Sequence, residues 1–297
     1  MSAPLVAEFP LEEARRVVRT ALAEDLGPQS LDVTTMATIP VAQRETAHVV
    51  AREEGVLAGA GVIDLVLAEL AALTGGQAPT VEHRAGDGER FGRGDVLAEI
   101  AGPAQQILMA ERTVLNLLSR MSGVATHTRR WADALEGTAC TVLDTRKTTP
   151  GLRWLEKYAV TAGGGTNKRM GLYDVAMIKD NHKIAAGSVS AAYLAIRDRY
   201  PEVTIEVEVT TTQEAIEALS VGSRFLMCDN MSVPLLATTV EQVRAWAAER
   251  GEPVEIEATG GLTLAVARDY AETGIDYMSV GGLTHSSPII DIALDLA

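Results

Sequence analysis

Basic, acidic and glycine residues are grouped along this chain in a way that suits anions. Arg112, Arg146, Lys147, Lys168, Arg169 and Lys179 could hold carboxylates or phosphates. Arginine would do so by paired hydrogen bonds and lysine as a point charge. Glu208 and Asp229 could hold a divalent cation. Two carboxylates beside phosphates suit magnesium, which keeps several waters and bridges to substrate oxygens. Thr259-Gly260-Gly261 and Gly281-Gly282-Leu283-Thr284, followed by His285, could cradle a phosphate on free backbone N–H groups. The implied substrates are a di- or tricarboxylate and a polyphosphate ester. The implied chemistry is a transfer driven by positioning and charge stabilisation.

These residues need elements to carry them. The densest stretch, from Asp144 to His182, lies between two apolar runs, Ala139 to Leu143 and Val175 to Ile178, and contains Pro150-Gly151, a helical pattern to Val160 and a triple glycine. Further apolar runs follow at Thr204–Val209, Phe225–Cys228, Val254–Ala258 and Tyr277–Val280, with helical patterns at Thr211–Ser220, Val233–Arg250 and Leu264–Thr273 between them. Such alternation predicts βαβ units and a parallel sheet, closed or nearly closed as a barrel. One more strand is expected near Gln105–Met109 or in the tail. Each run stops at a polar group: Asp144, Lys179, Glu208, Asp229, Glu257 or the Gly281-Gly282 pair. In a barrel those ends converge on the face where catalysis occurs.

Upstream, Leu11 to Glu24 has helical spacing, Asp25 to Pro40 reads as irregular, Ala47 to Arg52 and Val56-Leu57 read as strands, and Gly61 to Thr74 reads as an apolar helix. The glycine-studded segment Val81–Ile100 reads as short strands and turns. It has the look of a biotin or lipoate carrier hairpin, but no lysine lies between Val81 and Gly102, so its role is structural. From Ala104 one long helix runs through Leu135, carrying Arg112, Asn116, Ser119, Arg120, Ser122 and His127.

Composition bounds the partners. The net charge of −14 argues against nucleic acid and anionic membranes as partners, and makes local basic clusters conspicuous. Hydrophobic residues are 47% and aromatics only 4%, so the core must be built from Ala, Val, Leu and Ile. Cys140 and Cys228 fall in apolar runs, which fits buried thiols in a reducing compartment. The N-terminal MSAPLVAEFPLEEARR lacks a basic region before an apolar core, and no uncharged run is long enough to span a bilayer. A soluble cytoplasmic protein is expected.

The segments DTRKTTPG, EKYAV, GGG with Asn167 and Arg169, KDNH, DNMS, EATGGL and GGLTHS resemble the quinolinate phosphoribosyltransferase family, as do DVTT and AERTVLNLLSRMSGVAT near the N-terminal side. The likeness covers nearly the whole chain. It implies transfer of phosphoribosyl from phosphoribosyl pyrophosphate to quinolinate, giving nicotinate mononucleotide, pyrophosphate and carbon dioxide. It implies an N-terminal α/β sandwich domain, residues 1–112 completed by the tail 286–297, and an incomplete parallel α/β barrel, residues 113–285. It implies a homodimer with sites at the interface, higher assembly being left open.

Residue by residue, the resemblance assigns the quinolinate pocket to Arg146, Arg169 and Lys179, with Arg112 reaching in from the partner subunit. Lys147 falls near phosphates and carboxylates with Thr145 beside it. Glu208 and Asp229 hold magnesium and the ribose hydroxyls. Thr259, Gly260, Gly261, Gly281, Gly282 and His285 form the 5′-phosphate cradle. The chain departs at Lys168, where the family commonly has histidine before the pocket arginine. A lysine there keeps its charge at every working pH, so a carboxylate-binding role with a flatter pH profile below 7 is expected. A paralogue for a related heteroaromatic acid, an inactive carboxylate sensor, and an aldolase using Lys179 as a Schiff base are the rival readings. The remaining histidines, His48, His83, His127 and His182, are expected to be structural.

Overall fold

The structure is a computed structural model that describes residues 8–297; the reading of residues 1–7 as part of a leaderless start lies outside the described residues. Helices α1 (Leu11–Leu26) and α2 (Val33–Thr38) precede strands β1 (Arg44–Ala51) and β2 (Gly55–Val56). Helix α3 (Gly61–Thr74) leads to β3 (Thr80–His83), β4 (Arg90–Phe91), β5 (Val96–Pro103) and the long α4 (Ala104–Ala134). Then come β6 (Thr141–Leu143), α5 (Arg153–Ala162), β7 (Val175–Ile178), α6 (Asp180–Ala186), α7 (Val189–Arg199), β8 (Thr204–Val209) and α8 (Thr212–Ser220). The chain closes with β9 (Phe225–Asp229), α9 (Val233–Arg250), β10 (Glu255–Thr259), α10 (Ala267–Ala271), β11 (Tyr277–Ser279), α11 (Gly282–His285) and β12 (Ile292–Leu296).

Two compact units result. One holds the described chain up to Arg129 together with Lys147–Gly164 and Gly282–Ala297. Its sheet has the order β12-β1-β5-β3, antiparallel throughout, so the tail strand joins the N-terminal strands. The strand expected over Ala47–Arg52 is β1, in which Ala47, Val49 and Ala51 are fully buried. The segment read as irregular contains α2, because Asp32 accepts from the N–H groups of Thr34 and Thr35 and caps a short helix. The strand considered at Gln105–Met109 is instead the start of α4, and the boundary drawn at residue 112 runs through that helix.

The other unit comprises Arg130–Arg146 and Gly165–Gly281. Its six parallel strands are ordered β6-β11-β10-β9-β8-β7. Strand β6, first in sequence, pairs with β11, the last, and not with β7. This is the winding of a barrel left open between β6 and β7, where residues 144–174 intervene. The register sorts side chains sharply. Ile178, Val207, Leu226, Cys228, Ile256, Ala258 and Met278 alternate to one face and are all at most 1% exposed. The opposite face carries Glu206 and Glu208 of β8, Met227 and Asp229 of β9, Glu257 and Thr259 of β10, and Ser279 of β11. Buried parallel strands are ordinarily apolar on both faces. Here one face is polar.

Candidate active site

Carboxylates on a buried face need counter-charge, and the loop before β7 supplies it. Asp144, fully buried at the end of β6, accepts from Asn167 Nδ2 at 2.7 Å and from the Lys168 N–H at 2.9 Å. A bridge between Leu143 and Thr166 sets the same loop alongside β6. Thus anchored, Lys168 projects across the polar face. Its Nζ lies 2.8 and 2.6 Å from the two oxygens of Glu257, 3.4 Å from Glu206 Oε2, and 2.9 Å from Met227 Sδ. The ring of Phe225 sits 5.7 Å away. Lys168 is 6% exposed, so its charge is spent inside the protein. Glu206 Oε2 has no hydrogen-bond partner, and burial pushes its carboxyl up to about 7, against the opposing pull of Lys168. Ser279 Oγ, also on this face, is likewise buried without a hydrogen-bond partner.

Nearer the strand ends the charges become accessible. Arg169 donates to Val175 O at 3.0 Å and touches Met177 Sδ at 3.3 Å. Burial, and next the like charge of Arg146, lower its affinity for its proton, which places two guanidinium groups in one neighbourhood. Two cations held together favour an anion between them. Asp174 accepts from the N–H groups of Met170 and Gly171 and so pins the chain just past Arg169.

Lys179, exposed at the end of β7, places Nζ 2.9 Å from Glu208 Oε2. Asp229 is pushed up by burial and by Glu208, despite its hydrogen bond from Asn230 Nδ2 at 2.7 Å. A carboxyl raised in part by a neighbouring carboxylate lies where a cation would be welcome. Among the described residues no cluster of three or more candidate metal ligands occurs.

The glycine pair after β10 has a steric reason. Asn230 sits at φ 52° and its N–H donates to Thr259 O. A Cβ on Gly260, itself at φ +90°, would meet Asn230 Oδ1 at 2.4 Å. Only glycine allows Thr259, Gly260 and Gly261 to turn there. In the first unit, Thr284 Oγ1 donates to Lys147 O at 2.7 Å, Lys147 itself is exposed, and His285 Nδ1 lies 2.6 Å from Ser286 Oγ. Arg112 is 62% exposed and lines an open cavity of about 410 Å³ with Asn116, Ser119 and Ile289.

Comparison with known proteins bears on this geometry. The model of the quinolinate phosphoribosyl transferase C-terminal domain matches residues 124–295, and that of the N-terminal domain matches residues 32–122. The chain belongs to the quinolinate phosphoribosyltransferase family. It is 44% identical over 292 residues to the nicotinate-nucleotide pyrophosphorylase [carboxylating] of Mycobacterium leprae, covering 98% of this chain and 100% of the relative. It is 39% identical over 305 residues to quinolinate phosphoribosyltransferase [decarboxylating] 1 of Nicotiana glauca, covering 97% and 83% respectively. The solved nicotinate-nucleotide pyrophosphorylase of Francisella tularensis superposes with a TM-score of 0.89 at 30% identity, covering 100% of both chains.

Against that family frame, the structure brings Arg146, Arg169, Lys179, Glu208 and Asp229 to the strand-end region of the sheet unit, with Thr259, Gly260, Gly261 and Gly281 in the loops that follow β10 and β11. Thr145 follows Asp144 on the same edge. Lys147, Gly282 and His285 belong to the other unit, as does Arg112. Lys168 differs from its expected role. Its ammonium is held by Glu257 and Glu206 inside the sheet. Reasoning from sequence passed over Glu257 as a ligand of Lys168, and Arg120. Glu257 stood out in the sequence as a polar group at a strand end, two residues from Glu255, but the lysine reaching it comes from a loop far away in sequence.

Proposed function

We propose that this chain transfers the phosphoribosyl group of phosphoribosyl pyrophosphate to quinolinate, with decarboxylation, to give nicotinate mononucleotide, pyrophosphate and carbon dioxide. The observation that carries this is the pairing of opposite demands at one sheet edge. Arg146 and Arg169 are like charges held close, suited to a dicarboxylate, while Glu208 and Asp229 are like charges on adjacent strands, suited to a cation. Quinolinate would lie with its two carboxylates on Arg146, Arg169 and Lys179, completed by Arg112 from a second copy in a homodimer. Glu208 and Asp229 would hold magnesium and the ribose hydroxyls, and Thr259, Gly260, Gly261, Gly281, Gly282 and His285 the 5′-phosphate.

When bound, magnesium would neutralise charge on the pyrophosphate leaving group. The protein's own groups do the rest. Lys147, exposed and beside Thr145, stabilises the departing pyrophosphate as charge develops on it. The arginines orient the ring nitrogen towards the ribosyl carbon. After transfer the ring nitrogen is quaternised, and the cations around the 2-carboxylate steady the charge left as carbon dioxide departs. Lys179, whose Nζ contacts Glu208, must move from that carboxylate when metal and substrate enter. No helix of the described residues is long and apolar enough to cross a membrane.

The test is turnover of purified protein with magnesium and phosphoribosyl pyrophosphate, using quinolinate and, in parallel, nicotinate. Turnover of quinolinate alone is expected. Equal use of nicotinate would reject a pocket built for two carboxylates.

A further inference from the structure

One buried ion pair lies outside the site and yet makes its bonds to loops that belong to it. Glu156 of α5 is fully buried, and its Oε1 accepts from Arg120 of α4, from Nη2 at 2.7 Å and from Nε at 3.2 Å. Its Oε2 accepts the Thr149 N–H at 3.0 Å, two residues after Lys147. The same guanidinium donates from Nη1 to Ser287 O at 3.0 Å and from Nη2 to Thr284 O. Thr284 completes the circuit through its hydroxyl on Lys147 O. All these residues lie in one compact unit.

The rest of α4 treats the 283–290 segment in the same way. Ser119 O accepts the Ile290 N–H at 3.2 Å. A Cβ on Gly123 would meet Pro288 O at 2.0 Å, so the segment lies directly on the helix. Ser287 Oγ donates to Leu283 O at 2.6 Å and lies 2.9 Å from His127 Nδ1, which therefore donates to it. Residues 119, 120, 123 and 127 fall on one side of a helix, and that stripe grips the segment along its length.

A buried ion pair is seldom the cheapest way to fill a core, since apolar residues of similar size stabilise as well or better. This one instead ties the backbone at and just after Lys147 to the backbone on either side of His285. We propose that Arg120 and Glu156 are positioning residues for the phosphoribosyl pyrophosphate half of the reaction, setting Lys147 and the 284–287 turn in register without touching substrate. The inference rests on the roles proposed above for Lys147 and His285.

Arg120→Lys and Glu156→Gln test it. Each keeps approximate size, but lysine cannot reach Glu156 and two carbonyls at once, and glutamine loses the charge. Folded variants are expected to show a KM for phosphoribosyl pyrophosphate raised about tenfold or more, with the KM for quinolinate within about twofold of wild type. The double variant is expected to lose no more than the worse single, because both changes break one clamp. A general loss of folded, active protein with both KM values unchanged would overturn the proposal, as would strict additivity. Lys147→Ala is the control on the premise and is expected to lower kcat/KM at least a hundredfold. If it does and both clamp variants keep the wild-type KM for phosphoribosyl pyrophosphate, the clamp alone is wrong. If Lys147→Ala is as active as wild type, the premise falls and the clamp with it.

Discussion

Lys168 Nζ lies 2.6 Å from Glu257 Oε2, on a sheet face that also carries Glu206 and Met227. The lysine is the internal counter-ion of the polar face. Removing it should leave Glu257 and Glu206 buried without compensation. Lys168→Met is therefore expected to cost about 3–5 kcal/mol, read by urea denaturation. A loss under about 1 kcal/mol would show that the carboxylates find other partners or take up protons.

Lys168→His separates charge from shape. An imidazole facing two carboxylates has its folded pKa raised above the ordinary value of about 6.5. Its stabilisation is then complete below that value and is lost as pH rises through the folded pKa. Stability and kcat/KM of the variant should match wild type near pH 6 and fall behind it above neutrality. Superimposable profiles from pH 6 to 9 would refute this account.

Glu206 makes a prediction of its own. Its carboxyl is raised to about 7 by burial, with Glu257 adding to the rise and Lys168 opposing it. The folded state thus holds this proton more tightly than the unfolded chain, so stability is present at low pH and declines as pH rises from about 4.5 to about 7. Glu206→Gln cannot titrate and should be the more stable form at pH 8, by up to roughly 3 kcal/mol. Thermal unfolding between pH 5 and 8 reads the difference, and a gap that does not grow with pH would count against it. The protons belong to the Lys168–Glu206–Glu257 cluster as a whole.

Gly260→Ala should reach the phosphate site through its neighbour. The added Cβ meets Asn230 Oδ1, and φ +90° is itself unfavourable for alanine. Strain of about 1–3 kcal/mol is expected, with a KM for phosphoribosyl pyrophosphate raised tenfold or more. Adding Asn230→Gly removes the clash but not the backbone strain, so recovery should be partial. Full activity of Gly260→Ala would argue against a close-fitting turn.

Asp229→Asn tests the cation site. The amide keeps the shape and its contact with Asn230 but removes one negative charge. The magnesium concentration for half-maximal rate should rise at least tenfold, measured by titration at saturating substrates. An unchanged requirement would place the metal elsewhere.

Arg112 permits a test of the homodimer. Arg112→Ala and Lys147→Ala enzymes should each be nearly inactive. After subunit exchange, one site of each mixed dimer regains both residues, and activity should return. Exchange demonstrated by mass, with no activity regained, would reject the shared site.

The strands and several helices of the second unit were legible because their cause is local, whereas α6 and α7, between β7 and β8, were not read. Val175–Ile178 is an apolar run, Thr204–Val209 alternates β-branched residues with glutamates, and Val233–Arg250 ends at Gly251 in the left-handed conformation that glycine adopts without penalty. Strand ends at Lys179 and Asp229 were legible for the same reason, since a charged residue ends a buried run, whereas Glu208 lies inside β8, which continues to Val209. Helix α2 was less so, because its stop and start depend on the Asp32 side chain turning back on two N–H groups.

Sequence by itself determined which residue types stand at the ends of which runs, and through its motifs the family. Tertiary structure alone decided how those charges are spent. Lys168 and Arg169 are adjacent and both cationic, yet only the register of β8, β9 and β10 puts Glu206, Met227 and Glu257 around the lysine. In the same way, Arg120 and Glu156 meet only because α4 and α5 pack, though 36 residues separate them. Periodicity is written within a few turns of chain. Charge pairing inside a core is set by which distant segments share the same low-dielectric space.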